Sequence, residues 1–221
     1  MHGKKRNYPA VSCGAFLFQL NVLLSRNDVA FKHERAASYC DHHNPMKAPN
    51  TFPPTQHALC LYPWAKGVSV TNWLPPLGLE YISAAIKKTG AHTRLVDMRF
   101  EPDPEPLRRM PVEAVCISAN WEDQIPLLPV LTGIFKPDQT IIVGGRAATF
   151  STEEIFRTCP QVDFIVRGDG EETISELFSG RPIDAIDGLS YRANGSVRHN
   201  PNRRFNRFPE DIIPDREGRR R

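Results

Sequence analysis

The stretch VDFIVRGDGEETISELFSG, residues 162–180, decides the fold of this chain. Its first half is an apolar run rich in β-branched residues, which predicts a buried β-strand that reaches Arg167 and a glycine. Its second half has apolar residues at helical spacing and predicts a helix over about Gly170–Phe178, closed by Gly180. A buried strand followed directly by a helix is the repeating unit of an α/β sheet.

The turn between this strand and this helix admits several interpretations. A phosphate loop is disfavoured because Asp169, Glu171 and Glu172 would repel a phosphate. Asp169 is expected to cap the helix while Glu172 reaches back to it. An RGD adhesion signal would need a protruding extracellular loop, whereas this segment predicts a tight turn at the end of a buried strand.

Four similar units precede this one, with strands predicted at 58–62, 92–98, 112–119 and 140–145. The helices that follow them are predicted at 77–90, at 103–110, late in the proline-containing segment after the third strand, and before Pro160 with Ser151 and Glu154 as a capping box. Because the strands are continuously apolar, the sheet should be covered on both faces. Right-handed crossovers then predict a doubly wound five-stranded parallel sheet, Rossmann-like or flavodoxin-like. A small C-terminal β-hairpin is expected at 186–200, turning at Asn194-Gly195.

The sequence therefore divides into four parts. We expect an irregular leader at 1–55, an α/β domain at 56–182, a β-hairpin extension at 183–205 and a basic tail or linker at 206–221. The formal charge of +3 is concentrated in the tail, which favours a solvated edge over a nucleic-acid arm.

Composition and spacing also exclude several kinds of site. The 5 cysteines are scattered and show no zinc spacing, which favours a reducing, cytoplasmic setting. Asp41-His42-His43 lies before the periodic body and is interpreted as solvent-exposed, so no metal site is expected. No apolar stretch is long enough for a membrane span. The first strand is not followed by a GxGxxG fingerprint, and no GxxxxGK[ST] phosphate loop occurs.

In a doubly wound sheet, ligands bind beyond the carboxyl ends of the strands. The third strand ends in small polar residues, Ser118 and Asn120, and the fourth ends in Gly144, Gly145 and Arg146. The glycines permit close approach of a ligand to the backbone. The long loop at 63–76, with Trp64 and Trp73, follows the first strand and is expected to be functional or to form a cover. No nucleophile–base pair is evident at these ends, so no catalytic residue is predicted.

An ordered series of segments resembles a known family: PPLGLEYISAAIKKTG (75–90), LVDM (95–98), VCISA (115–119), IIVGG (141–145), VDFIVRGDGEETISEL (162–177) and IDGLSYRANG (186–195). The series is similar to the N-terminal cobalamin-binding domain of cobalamin-dependent radical S-adenosylmethionine enzymes, which include methyltransferases. The resemblance covers about residues 57–205. It implies a corrin ring held against the carboxyl edge of the sheet, with its nucleotide tail entering between the loops.

Carried over position by position, the resemblance implies twelve cofactor-binding residues: Leu77, Gly78, Ser118, Asn120, Gly144, Gly145, Arg146, Arg167, Gly168, Gly170, Glu171 and Thr173. Backbone groups and small side chains are expected to dominate, because a flat macrocycle needs close approach more than charge.

Two departures from the family qualify what the resemblance implies. The DxHxxG motif that supplies a histidine to cobalt is not matched, since Met46 stands where Asp41-His42-His43 would need the glycine. Cobalamin is therefore expected to bind without a protein histidine ligand. The CxxxCxxC barrel should begin soon after PEDIIPDRE (209–217), yet the sequence ends at Arg221. We therefore expect this chain to bind neither the iron–sulfur cluster nor S-adenosylmethionine, either because the gene is split or truncated or because a separate barrel protein is the partner.

The resulting hypothesis is a cobalamin-binding module of a radical S-adenosylmethionine system, without turnover by itself. The alternative is an orphan flavodoxin-like regulatory or interaction domain that binds no cofactor, in which the glycines only form turns.

Overall fold

The structure is a computed structural model that describes residues 50–64, 74–204 and 212–217. Most of the predicted leader, including Asp41-His42-His43, lies outside the described residues, as do residues 65–73 of the long loop and part of the basic tail.

One seven-stranded sheet forms the centre of the α/β domain, in the order β2-β1-β3-β4-β5-β6-β7. The first five strands are parallel and comprise β1 (His57–Tyr62), β2 (His92–Asp97), β3 (Ala114–Ser118), β4 (Thr140–Gly144) and β5 (Val162–Val166). The chain reverses direction across the sheet between β1 and β3, so the switch point lies there. The predicted doubly wound α/β fold is confirmed.

The strands are buried on both faces because helices pack against each side. All five residues of β3 are buried, as are the last five of β1. The helices are α1 (Leu77–Lys88), α2 (Glu105–Arg108), α3 (Leu128–Thr132), α4 (Arg146–Phe150), α5 (Thr152–Thr158) and α6 (Glu171–Phe178). Two 3-10 turns, Glu122–Leu127 and Ile183–Ala185, complete the list of described helical elements.

The late start of the helix after β3 is confirmed. A 3-10 turn that contains Pro126 precedes α3, and Pro129 lies in the first turn of α3. Proline lacks a backbone donor and is tolerated where no helical hydrogen bond is required of it.

Both predicted side-chain caps are wrong. Ser151 makes no side-chain capping hydrogen bond. Because α4 runs directly into α5, the Ser151 N–H donates to the Ala147 carbonyl at 2.9 Å and is not left for the Glu154 side chain, as a capping box requires. Asp169 does not cap α6 either: Gly170 precedes the helix in a helical conformation, and no side chain caps it.

The predicted hairpin is confirmed and becomes part of the main sheet. Strands β6 (Leu189–Ala193) and β7 (Ser196–His199) are antiparallel, and β6 pairs with β5. Asn194 and Gly195 both have positive φ, 51° and 76°, as a two-residue type I′ turn requires.

Residues from both ends of the sequence contact this body. Phe52 is 4% exposed, with its ring centroid 5.9 Å from that of Phe164 and 4.9 Å from that of Phe178. Asp215 donates its backbone N–H to the Glu80 carbonyl of α1 at 3.1 Å. Among the described helices, none has the length and apolarity that crossing a membrane would demand.

Candidate functional site

A cavity of about 490 Å³ opens at the carboxyl edge of the sheet. Strands β3, β4 and β5 form its floor, and helices α1 and α6 form a wall. It therefore lies at the edge where the fold places ligands. The inner part of the cavity is apolar: Cys116 and Ile142 lie at the floor, and Ile82 and Ile174 line it from the two helices.

The cavity brings together nine of the twelve predicted site residues: Gly78, Ser118, Asn120, Gly144, Gly145, Arg146, Gly168, Gly170 and Glu171. These residues come from four separate connections between strand and helix. Their convergence follows from the parallel topology, because the carboxyl ends of parallel strands meet at one edge.

Asn120 connects the end of β3 to the end of β4. Its amide Nδ2 donates to Ser118 Oγ at 3.1 Å, and its Oδ1 accepts the backbone N–H of Arg146 at 3.2 Å. The backbone N–H of Asn120 donates in turn to Gln124 Oε1 at 2.8 Å. Gln124 is fully buried and also donates to the Pro63 carbonyl, so the network extends to the end of β1.

Gly145 has no room for a side chain. Its φ is +101°, and a Cβ atom would stand 2.7 Å from both the Ala119 carbonyl oxygen and Asn120 Oδ1. The close packing holds the backbone between β4 and α4 against the end of β3. By contrast, a Cβ on Gly78 or on Gly168 would meet no atom within 4 Å, so the cavity is open at these two positions.

Hydrogen bonds to Thr149 of α4 hold the turn after β5 in place. The backbone N–H of Gly168 donates to Thr149 Oγ1 at 3.0 Å, and the Thr149 hydroxyl donates to the Gly145 carbonyl at 3.0 Å. Thr149 and its neighbour Phe150 also line the cavity, and Phe150 is 82% exposed. Sequence reasoning missed these two residues; the only available signal was their position one turn beyond Gly145.

Glu171 contributes a partly buried carboxylate to the wall. Burial raises the pKa of this carboxyl, the charge of Asp169 raises it further, and the N–H groups of Glu171 and Gly170 act in the opposite direction. Asp169 also lines the cavity. The α6 side of the mouth is therefore acidic, while Arg146 supplies a cation on the α4 side.

Three predicted site residues do not line the cavity. The Arg167 guanidinium donates to Asn202 Oδ1 at 2.7 Å and to the Asn200 carbonyl, and burial lowers its pKa. Thr173 Oγ1 donates to the Asp187 carbonyl at 2.9 Å. Leu77 is 45% exposed at the start of α1. Arg167 and Thr173 thus stabilise the turn through hydrogen bonds to residues that do not line the cavity.

Comparison with known families identifies the domain. Residues 64–178 match the model of the B12 binding domain. Curated relatives include an uncharacterized methyltransferase of Pyrococcus horikoshii, 30% identical over 72% of this chain and 35% of the relative. The anaerobic magnesium-protoporphyrin IX monomethyl ester cyclase of Synechocystis is 29% identical over 56% of this chain and 28% of the relative. The chain thus spans about a third or less of the length of these relatives.

Solved structures show the same fold. The radical S-adenosylmethionine methyltransferase TsrM of Kitasatospora setae, with cobalamin and an iron–sulfur cluster bound, matches with a TM-score of 0.57 and 15% identity over 72% of this chain and 31% of TsrM. The cobalamin-dependent radical enzyme OxsB, with aqua-cobalamin and S-adenosylmethionine bound, matches with a TM-score of 0.56 and 22% identity over 74% of this chain and 24% of OxsB.

The resemblance inferred from the ordered motifs is confirmed by these matches. The family match covers more than half of the chain and includes four of the five parallel strands, with the cavity at their carboxyl ends. This chain belongs to the B12-binding domain family, and it shares its fold with part of the radical S-adenosylmethionine enzymes TsrM and OxsB.

Proposed function

We propose that this chain is the cobalamin-binding module of a radical S-adenosylmethionine enzyme system for methyl transfer or related radical chemistry, and that it does not turn over substrate by itself. The observation that carries the proposal is the 490 Å³ cavity at the carboxyl ends of β3, β4 and β5, in a domain of the B12-binding family.

The residues around the cavity fit such a group. A corrin is flat and bordered by amide side chains, so it needs an open rim of backbone; Gly78 and Gly168 offer one, since a Cβ on either would meet nothing within 4 Å. The floor at Cys116 and Ile142 is apolar and suits the aromatic base of a nucleotide tail.

Each group at the mouth would then have a defined task. Backbone groups of Gly144, Gly145 and Gly168 would hold the cofactor, and the Glu171 carboxylate would accept hydrogen bonds from its amide groups. Asn120 holds the ends of β3 and β4 together at the cavity. When bound, cobalamin supplies a cobalt centre that can carry a methyl group between a donor and an acceptor.

We also propose that cobalt takes no histidine ligand from the described part of the chain. His57 and His92 stand at the first positions of β1 and β2, at the opposite edge of the sheet from the cavity. His199 lies on the hairpin, where Nδ1 is 2.9 Å from Ser190 Oγ and Nε2 is 2.8 Å from Glu153.

The iron–sulfur cluster and S-adenosylmethionine are then bound by another domain or by a separate barrel protein. Large apolar side chains cluster at the carboxyl edge of the sheet and support such a cover. Those exposed there are Leu74 (66%), Leu77 (45%), Phe100 (70%), Trp121 (42%) and Phe150 (82%). An apolar rim of this kind around a ligand site is typical of a surface that a partner covers.

One observation favours the alternative, an orphan regulatory domain without a cofactor. Asn120 and Thr149 already hydrogen-bond to protein groups, so these two side chains at the mouth need no ligand.

A hydrolase is disfavoured despite the chain Ser190–His199–Glu153, because Ser190 is 0% exposed and no substrate can reach its hydroxyl.

The test is retention of cofactor. Purified chain is incubated with hydroxocobalamin, desalted, and assayed for corrinoid per protein by absorbance. We expect near-stoichiometric retention with a spectrum that lacks histidine ligation. Failure to retain corrinoid at saturating loading, by a chain with a cooperative melt, would support the orphan regulatory domain.

A further inference from the structure

We propose that Arg99, two residues beyond the end of β2, is a positioning residue for the ligand cavity. It holds the residue that leads into α1, so that Gly78 in the first turn of α1 keeps its place at the mouth of the cavity. The inference rests on the proposed function, because it assigns Arg99 to the affinity of that same site for a corrinoid. Arg99 does not line the cavity, so its effect is expected to pass through the start of α1.

The Arg99 guanidinium is fixed at the ends of β1 and β2. Its side chain is 6% exposed, and Nε lies 2.9 Å and 3.1 Å from the two carboxylate oxygens of Asp97, the last residue of β2. Its Cζ lies 4.8 Å from the centroid of the Tyr62 ring, at the end of β1. The backbone N–H of Arg99 also donates to Asp97 Oδ1 at 3.0 Å. These charge-assisted contacts give the guanidinium a defined position and orientation.

From this position Arg99 reaches the residues that precede α1. Its Nη1 donates to the Leu74 carbonyl at 2.8 Å. Helix α1 begins three residues later, at Leu77, and Pro76 before it supplies no side-chain cap. A cap normally fixes the entry of the chain into a helix. In α1 the contact with Arg99 fixes this entry from a neighbouring strand end.

Two prolines connect the held residue to the cavity. Pro75 and Pro76 join Leu74 to Leu77, and the ring of each proline restricts its φ to about −65°. The Leu77 N–H donates to the Pro75 carbonyl at 2.7 Å, which closes a tight turn at the start of the helix. A segment with so few free dihedral angles transmits a displacement of Leu74 to the first turn of α1. Gly78 lies in that turn and lines the cavity.

The contact with Leu74 should affect the position of α1 more than the stability of the domain. Leu74 is 66% exposed, so water can reach this residue when Arg99 no longer donates to it. In Arg99→Lys, the side chain keeps a cation opposite Asp97, but a single ammonium lacks the planar fork that serves Asp97 and Leu74 together. This substitution therefore separates the ion pair from the contact with Leu74.

The experiment compares affinity with stability in the full chain. Hydroxocobalamin titration followed by absorbance gives Kd, and urea unfolding gives stability. Arg99→Lys is expected to raise Kd roughly tenfold, because it removes one charge-assisted hydrogen bond that orders the mouth. Arg94→Gln, at a 44% exposed arginine of β2, should leave Kd unchanged.

A second control separates positioning from stability. Ile155→Ala removes a fully buried side chain of α5 that does not line the cavity. It should lose at least as much stability as Arg99→Lys, because it leaves a void in the core, and it should keep the parent Kd. An unchanged Kd in Arg99→Lys, or an equal rise in Ile155→Ala, would overturn the proposal.

Hydrogen exchange supplies a readout that does not depend on cofactor. In Arg99→Lys, the amides of residues 77–80 should exchange at least about fivefold faster than in the parent, while those of residues 84–88 in the same helix keep their rate. Uniform acceleration along α1 would mean that Arg99 acts on global stability alone and would contradict the proposal. Arg99→Gln, whose amide can still donate to Asp97, replaces Arg99→Lys if that variant does not fold.

The two measurements also separate this inference from the proposed function. If the parent chain binds no corrinoid, the proposed function fails, and hydrogen exchange at residues 77–80 then decides whether Arg99 positions the start of α1. If the parent binds corrinoid and Arg99→Lys binds it equally well, the proposed function stands and the role of Arg99 is refuted.

Discussion

The side-chain oxygen of Asn120 lies 2.7 Å from the point where a Cβ atom on Gly145 would stand. Asn120 uses this same oxygen to accept the backbone N–H of Arg146. The Asn120 side chain, just beyond the end of β3, therefore packs directly against the backbone at the start of α4. Gly145 is required by the structure of the site itself, in addition to any need of a ligand for close approach.

Gly145→Ala should destabilise the domain by about 2–4 kcal/mol, because it combines an unfavourable positive φ with a steric clash against backbone. Gly180→Ala is the matched control: its φ is +75°, but a Cβ there would meet nothing within 4 Å. That control should cost only about 1 kcal/mol. Urea unfolding compares the two, and equal losses would show that the Asn120 contact is not restrictive.

Substitution of Gly145 therefore cannot separate cofactor binding from folding, whereas Gly78 can. Gly78 is exposed in the first turn of α1, lines the cavity, and a Cβ there has open space. Gly78→Trp should retain the parent stability and lose at least about 90% of the corrinoid retained after desalting, since the indole occupies the mouth. Gly78→Ala should retain corrinoid and gain up to about 1 kcal/mol of stability from better helix propensity. Equal retention by both variants would place the cofactor elsewhere.

The elements of the fold were predictable because each carries a local signal. The continuous apolar runs of the five parallel strands and the Asn194-Gly195 turn are sequence features of a few residues. The caps at Ser151 and Asp169 failed because the preceding backbone conformation decides whether a side chain can cap, and that conformation depends on packing. A local motif does not record it.

The site was predictable only in part, for a related reason. The edge of the sheet follows from topology, so nine of the twelve expected residues meet at one cavity. Arg167 and Thr173 instead face the segment that returns after the hairpin, through Asn202 and Arg203. That segment is about 30 residues away in sequence, and no local pattern near Arg167 indicates its position.

The ion pair between Asp97 and Arg99 should matter for stability, because both side chains are buried, 5% and 6% exposed. The hydrogen bond with Asp97 raises the pKa of Arg99. Arg99 Nη1 also donates to the Leu74 carbonyl at 2.8 Å. Asp97→Asn should cost about 3 kcal/mol in urea unfolding, since it leaves a buried cation without the carboxylate charge.

A matched change at the surface provides the comparison. Glu105 and Arg108 form an exposed pair at 3.1 Å. Glu105→Gln should cost at most about 0.5 kcal/mol, and this small loss should disappear in high salt. Similar losses for the two substitutions would contradict a special role for the buried pair.

The carboxyl of Glu171 should make stability depend on pH in a defined direction. Because burial raises its folded pKa above the ordinary value of 4.5, the favourable contribution of the neutral form is complete below about pH 4.5 and is lost as pH rises through the folded pKa. Glu171→Gln should therefore be more stable than the parent at pH 7, by a margin that shrinks as pH falls toward 4. Glu122→Gln, at an exposed carboxylate, is the control. If the stability advantage of Glu171→Gln instead grows as pH falls, the pKa of Glu171 is lowered in the folded state and this prediction is wrong.

The thiol of Cys116 offers a direct report of what fills the cavity. Cys116 lies at the floor and is 4% exposed. The hydrogen bond with Cys60, together with burial, raises the pKa of Cys116, so its thiolate is scarce and its alkylation in the folded chain should be slow. Cys159 is equally buried, and burial raises its pKa too, but it does not line the cavity.

Bound hydroxocobalamin should therefore slow alkylation of Cys116 at least about tenfold more than that of Cys159, because a ligand in the cavity covers the first thiol, which lines it, and does not cover the second. N-ethylmaleimide labelling at pH 8, quantified by peptide mass spectrometry, measures both rates in one sample. The Gly78→Trp variant should slow labelling of Cys116 without any corrinoid, since its side chain fills the same entrance. Equal slowing of Cys116 and Cys159 by corrinoid would indicate general stabilisation of the fold and would argue against a nucleotide tail in this cavity.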